Sequence, residues 1–184
     1  MSLKKRVCIY CGSKTGNNGS FTTKTKKLGH MLAANNIGLV YGGGSVGLMN
    51  EIANATLNRG GQVHGVIPQH LYDMEVAHEQ LTALHITDTM HERKAMMAEL
   101  SDAFIALPGG FGTFEELMEA ITWKQLGIQH KTVILFNIEG YYDKLINFID
   151  HSVDNGFITE QNRASLKIAE NVDQCLSHLP FFNP

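Results

Sequence analysis

The feature that most constrains this chain is a recurrence of short apolar runs, continuous in character, each separated from the next by a segment of helical periodicity or by turn residues. The runs are Arg6 to Tyr10, Gly38 to Tyr41, Gln62 to Ile67, Ala83 to Ile86, Ala103 to Leu107, Thr132 to Phe136 and Leu166 to Ala169. A strand wetted on one side alternates polar and apolar residues. A run without alternation suits a strand buried on both faces, as in a parallel sheet covered by helices. The segments near 21–35, 46–59, 89–101, 113–127 and 141–154 supply the crossover helices. The pattern predicts an α/β fold, a Rossmann-like doubly wound parallel sheet, organised as a single nucleotide-binding domain over residues 1–184.

Glycines mark the handovers from strand to helix: Gly12 after the first run, Gly42 to Gly44 after the second, and Gly109, Gly110 and Gly112 after the fifth. In an open parallel sheet the ligand crevice lies beyond the carboxyl ends of the strands, so these loops are expected to converge on one pocket. The segment from Pro68 to Gln80 has the weakest pattern and is a candidate flap. Charge narrows the ligand. The first fifty residues carry Lys4, Lys5, Arg6, Lys14, Lys24, Lys26 and Lys27 without one Asp or Glu, yet the chain totals −3. That imbalance suits a phosphorylated small molecule better than nucleic acid. No apolar run approaches the ~18 residues of a membrane span, and three cysteines make no complete disulfide framework, so a cytoplasmic location without membrane contact is expected. Cys8 and Cys11 form a C-x-x-C with no second pair, and the histidines show no metal-ligand spacing, so neither a metal nor a cofactor is indicated.

Two glycine motifs carry the chemistry. Gly42-Gly43-Gly44-Ser45-Val46-Gly47 matches G-x-G-x-x-G, but no acidic residue follows about twenty positions on to hold a ribose, which argues against NAD. These glycines either let backbone approach a mononucleotide or make a tight turn. More specific is Pro108-Gly109-Gly110-Phe111-Gly112-Thr113-Phe114-Glu115-Glu116, which joins a buried strand to a helix. Its bare backbone N–H groups and the positive helix end can hold a phosphate without a lysine. Thr113 and Glu116 also spell T-x-x-E, a capping box in which each side chain satisfies a backbone donor, and spacing alone favours that structural reading. In Met90-His91-Glu92-Arg93-Lys94, two adjacent cations open a helix against its dipole. An anionic ligand relieves that cost; equally, Lys94 points to water and Arg93 pairs with Glu92 or Asp88.

The stretches Tyr41 to Met49, Met90 to Lys94, Pro108 to Glu116 and Thr122 to Ile128 resemble the LONELY GUY (LOG) family of cytokinin-activating phosphoribohydrolases, with likeness over nearly the whole chain. The M-H-x-R-K and P-G-G-x-G-T-x-x-E pair is matched at every fixed position, and Cys11-Gly12-Ser13 and Glu75-Val76-Ala77-His78 are also similar. The resemblance implies hydrolysis of a nucleoside 5′-monophosphate to free base and ribose 5-phosphate. It implies Arg93 and Glu116 as the catalytic pair and Gly109, Gly110, Gly112 and Thr113 as the phosphate loop. Ser13, Gly43, Gly44, Glu75, Met90, Lys94 and Thr122 follow as further substrate contacts. A homodimer with the Trp123 helix as an interface element is implied too. Asn50 stands where the family commonly has glycine, which bears on substrate range through the pocket floor, and Thr132 stands where proline is usual. The rival class is a noncatalytic nucleotide sensor or carrier using the same crevice. The family's common label, lysine decarboxylase, needs pyridoxal phosphate on a buried lysine.

Overall fold

The computed structural model describes residues 5–74 and 77–182. Seven strands form one parallel sheet in the order β4-β3-β2-β1-β5-β6-β7: β1 Arg6–Tyr10, β2 Gly38–Tyr41, β3 Val63–Pro68, β4 Ala83–Thr87, β5 Ala103–Ala106, β6 Thr132–Phe136 and β7 Leu166–Ala169. Between them run α1 Gly19–Ala34, α2 Gly47–Leu57, α3 Gln69–Tyr72, α4 Met90–Glu99, α5 Phe111–Gln125, α6 Asp143–Asp154, α7 Glu160–Ser165 and, after β7, α8 Val172–Ser177. The expected doubly wound architecture is present, and four of the seven strands keep the ends read from sequence.

Burial on both faces explains the unbroken apolar runs. Val7 and Ile9 of β1 join a core layer with Leu28 and Leu32 of α1, Ile52 of α2 and Leu176 of α8. Their neighbours Cys8 and Tyr10 join the opposite layer with Met97 of α4, Leu117 of α5 and Ile149 of α6. The same division separates Ile134 and Phe136 from Val133 and Leu135 in β6. Polar residues at alternate positions would have been buried without partners, so the sequence cannot alternate there.

The strand order reverses at β1. Strands β2 to β4 extend to one side and β5 to β7 to the other, which splays the loops after β1 and β5 and opens a crevice between them. A hydrogen bond from Gly12 N to Pro108 O, 3.0 Å, ties the two loops at its floor.

Several helices and the Pro68 to Gln80 segment add to what the pattern predicts. Helix α5 starts at Phe111, two residues before the predicted start, because Gly110 in extended geometry is its N-cap. Helices α3, α7 and α8 span 4, 6 and 6 residues, too short for a periodic signal. Two residues of the candidate flap touch the rest of the fold: Ala77 bridges Gly44, and the His78 ring meets Asn54 Oδ1 at 3.0 Å.

Candidate active site

Three elements bring side chains to the crevice. Strand β1 ends in Tyr10 and is followed by Cys11 and the turn at Gly12 and Ser13; α4 contributes Arg93 and Met97; α5 contributes its first turn and Glu116. With Gly42 and Met49 they enclose a cavity of about 250 Å³. A second cavity of about 340 Å³ shares Gly12, Ser13 and Gly110 and continues between Lys14, Phe21, Leu48 and Tyr141. Arg93 and Glu116 both line the smaller cavity.

Helix α5 aims its N-terminus there. Gly110 has no side chain to accept the first-turn N–H groups, and Gly110, Phe111, Gly112 and Thr113 all line the cavity. The glycines serve two purposes. A Cβ on Gly109 would lie 2.1 Å from Thr113 Oγ1, so packing within the chain demands glycine there. A Cβ on Gly110 or Gly112 would meet nothing within 4 Å, so their smallness only keeps the mouth of the cavity open. An open helix N-terminus of this kind has the donors and the dipole to receive an anion.

Arg93, only 7% exposed, is fixed by backbone. Its Nε donates to Val66 O at 3.0 Å and its Nη2 to Gly42 O at 2.8 Å, while Nη1 lies 3.7 Å from Met90 Sδ. None of these partners carries charge, so the guanidinium presents its full positive charge to the cavity. The alternative pairing with Glu92 or Asp88 does not occur: Glu92 accepts from Asp88 N at 2.9 Å instead. Nor does Lys94 point to water. It is 6% exposed and binds Glu115 and Glu119 of α5, the latter at 3.0 Å. Burial works against its charge, but the hydrogen bonds it donates to Glu115 and Glu119 outweigh that and raise its pKa.

The capping-box reading of Thr113 and Glu116 is corrected by the helix start. With Gly110 as N-cap, Thr113 is the third helical residue and is buried, and Glu116 lies deeper, facing the cavity. Burial pushes the Glu116 carboxyl up to about 7, opposed by Arg93 and Lys94 and reinforced by Glu115 and Glu119. A carboxylic acid poised near neutrality opposite a fixed guanidinium can exchange a proton with water and stabilise adjacent positive charge.

Among the sequence-derived positions, Arg93, Glu116, Ser13, Gly110, Gly112 and Thr113 therefore share one cavity, and Gly109 lines its neighbour. Gly43, Gly44, Met90, Lys94 and Thr122 line neither. Gly43 turns the chain at φ +77° and accepts from His78 N, and the exposed Thr122 hydroxyl donates to Met118 O at 2.7 Å. Glu75 lies outside the described residues. Asn50 is not on the pocket floor; its side chain accepts from Asn54 Nδ2 at 2.9 Å. Trp123 is partly buried against the core, not exposed. Tyr10, Cys11, Met49 and Met97 were missed as lining residues, although Tyr10 ends a strand and Cys11 directly precedes a glycine. Among the described residues no cluster of three metal-binding side chains occurs, and no helix is long and apolar enough to cross a membrane.

Residues 49–179 match the family described as "Possible lysine decarboxylase". The chain is 47% identical over 180 residues to cytokinin riboside 5′-monophosphate phosphoribohydrolase LOG2 of Arabidopsis thaliana, covering 98% of this chain and 84% of that protein. It is 51% identical over 159 residues to the probable cytokinin riboside 5′-monophosphate phosphoribohydrolase LOGL9 of Oryza sativa subsp. japonica, covering 86% and 70%. Similar solved structures include the Moco carrier protein of Chlamydomonas reinhardtii, with TM-score 0.70, 21% identity and 95% and 94% coverage. The molybdenum cofactor binding protein of Rippkaea orientalis has TM-score 0.72, 19% identity and 96% coverage of both chains. At such identities these structures show a common fold.

Proposed function

The chain belongs to the LONELY GUY family, and from that membership we propose that it is a nucleoside 5′-monophosphate phosphoribohydrolase. Its substrate is AMP or an N6-modified AMP such as a cytokinin riboside 5′-monophosphate, and its products are the free base and ribose 5-phosphate. The observation that carries this reading is the meeting of Arg93 and Glu116 in one cavity beneath the open helix end of α5.

The chemistry follows from that arrangement. The N–H groups of the α5 first turn hold the 5′-phosphate, a contact shared by substrate and product, and so place the sugar against Glu116. Breaking the glycosidic bond leaves positive charge at the anomeric carbon and negative charge on the base. The ionised Glu116 stabilises the first and takes a proton from the attacking water, whose oxygen forms the new bond to the anomeric carbon. Arg93 binds the nucleotide and favours the departing base. The proton that Glu116 takes from the water passes through solvent to the departing base, so one water supplies the hydroxyl on the sugar and the hydrogen on the base, and Glu116 is ionised again.

Decarboxylase chemistry through pyridoxal phosphate does not fit these residues. A Schiff base needs a neutral amine, and Lys94, the buried lysine among the described residues, is held charged by two carboxylates. We also place the protein in the cytoplasm as a homodimer. Three free thiols at Cys8, Cys11 and Cys175 support a reducing compartment, and Leu126 and Ile128, 65% and 64% exposed beyond α5, support a contact surface there.

The test is direct: incubate with AMP and with N6-isopentenyladenosine monophosphate and measure free base and ribose 5-phosphate. Release of both supports the proposal. Saturable binding with nucleotide recovered intact would establish the sensor or carrier class instead.

A further inference from the structure

Lys94 follows Arg93 on α4 yet does not line the cavity. Its ammonium is buried and bound to Glu115 and Glu119 on α5. These two carboxylates lie four residues apart, on one face of their helix, and Glu116 sits beside them, turned toward the cavity. The ion pairs therefore join α4 and α5 at the level where Arg93 and Glu116 meet. Adjacent residues on each helix divide the work, one reaching the cavity and its neighbour reaching across to the other helix.

We propose that Lys94 is a positioning residue for the hydrolysis: it does not touch the nucleotide, but locks α4 against α5 and neutralises the two carboxylates beside Glu116. The kinetic part of this inference rests on the hydrolase reading; the electrostatic part does not.

The groups acting on Glu116 define what Lys94 balances. Helix α4 presents Arg93 and Lys94, and α5 presents Glu115 and Glu119. Strand β1 presents Cys8 and Tyr10, and the residue after it is Cys11, all held neutral by burial. Two cations thus oppose three carboxylates. Without the Lys94 charge, only Arg93 offsets the repulsion of the ionised Glu116 by Glu115 and Glu119, and Glu116 keeps its proton to higher pH.

The experiment compares wild type with Lys94→Met, Lys94→Arg and Lys94→Met/Glu119→Gln in the full chain. Steady-state kinetics with AMP across pH are combined with a carbon-13 titration of the glutamate carboxyls, the Glu116 signal being assigned by its loss in Glu116→Gln. In Lys94→Met, kcat/KM at neutral pH falls about tenfold while KM stays within about threefold. The acid limb of the rate profile and the Glu116 titration both move up by about half a pH unit or more. Lys94→Arg keeps wild-type behaviour, and the added Glu119→Gln brings limb and titration back down.

A several-fold rise in KM with the titration unmoved would make Lys94 a substrate ligand and overturn the proposal. Unchanged behaviour in Lys94→Met, or no recovery in the double variant, overturns it as well. Should Lys94→Met not fold, Glu119→Gln alone must lower the Glu116 titration, and an unmoved signal counts against the proposal. Because the titration needs no turnover, a wild type that cleaves no nucleotide defeats the hydrolase reading alone.

Discussion

The chain spells T-x-x-E twice within thirty residues, at Thr89 to Glu92 and at Thr113 to Glu116, and the two quartets do opposite things. Thr89 is the N-cap of α4: its hydroxyl accepts from Glu92 N at 3.1 Å, and the Glu92 carboxylate accepts from Asp88 N. Both side chains of that cap are exposed at the helix end. Thr113 lies inside α5, whose cap is Gly110, and Glu116 faces the cavity with its carboxyl pushed up to about 7. One quartet stabilises a helix start; the other holds an acid in a place where stability alone would not put it. The same letters acquire different chemistry from where the helix begins.

The sharpest way to break this comparison is Glu116→Gln. Turnover is expected to fall by about 10² to 10³, as for removal of one preorganised electrostatic contact, measured as release of free base from AMP. The same variant should be more stable than wild type above neutral pH. With its pKa raised from 4.5 to about 7, Glu116 binds more protons folded than unfolded across that window, so stability declines as pH rises through it. The glutamine removes a penalty of roughly 1–3 kcal/mol, visible as a higher Tm at pH 8. A glutamate that merely capped its helix would show loss of Tm with turnover retained.

Next in size is the pH profile. If the ionised Glu116 is the working form, kcat/KM should drop about tenfold for each pH step below the limb near 7. A flat profile between pH 5 and 8 would take Glu116 out of the chemistry.

At the other quartet the effects are smaller and of the ordinary kind. Thr89→Ala should cost about 1 kcal/mol of stability, read by chemical denaturation, with kcat changed far less than by Glu116→Gln. Glu92→Gln should cost only a few tenths of a kcal/mol, because its carboxylate is exposed and the amide oxygen of glutamine can still accept from Asp88 N. The two Glu→Gln changes thus differ in sign for stability as well as in size for turnover.

How much of this was legible beforehand follows the same physics. Strands β1, β2 and β6 are legible to their observed ends because burial on both faces leaves a one-dimensional trace in the sequence; the edge strand β7, with Lys167 exposed, shows its ends through its short run alone. The loop glycines and the convergence at the carboxyl edge followed from the parallel sheet. The role of Glu116 did not, because spacing reports a possible cap without reporting which residue takes the cap position. Arg93 and Lys94 were legible as an unusual pair at a helix start, but their partners were not. Val66, Gly42, Glu115 and Glu119 lie from 21 to 51 residues away in the chain, and only the folded sheet and helices bring them close.

The grip on Arg93 has a consequence for how such a chain drifts over generations. The oxygens that hold the guanidinium belong to the main chain at Val66 and Gly42, so the contact at 66 survives exchange of one aliphatic residue for another of similar bulk. Position 42 has no such licence, since even a methyl group there would lie 2.1 Å from Arg93 Nη2. Inheritance can rewrite one half of the clasp and must copy the other.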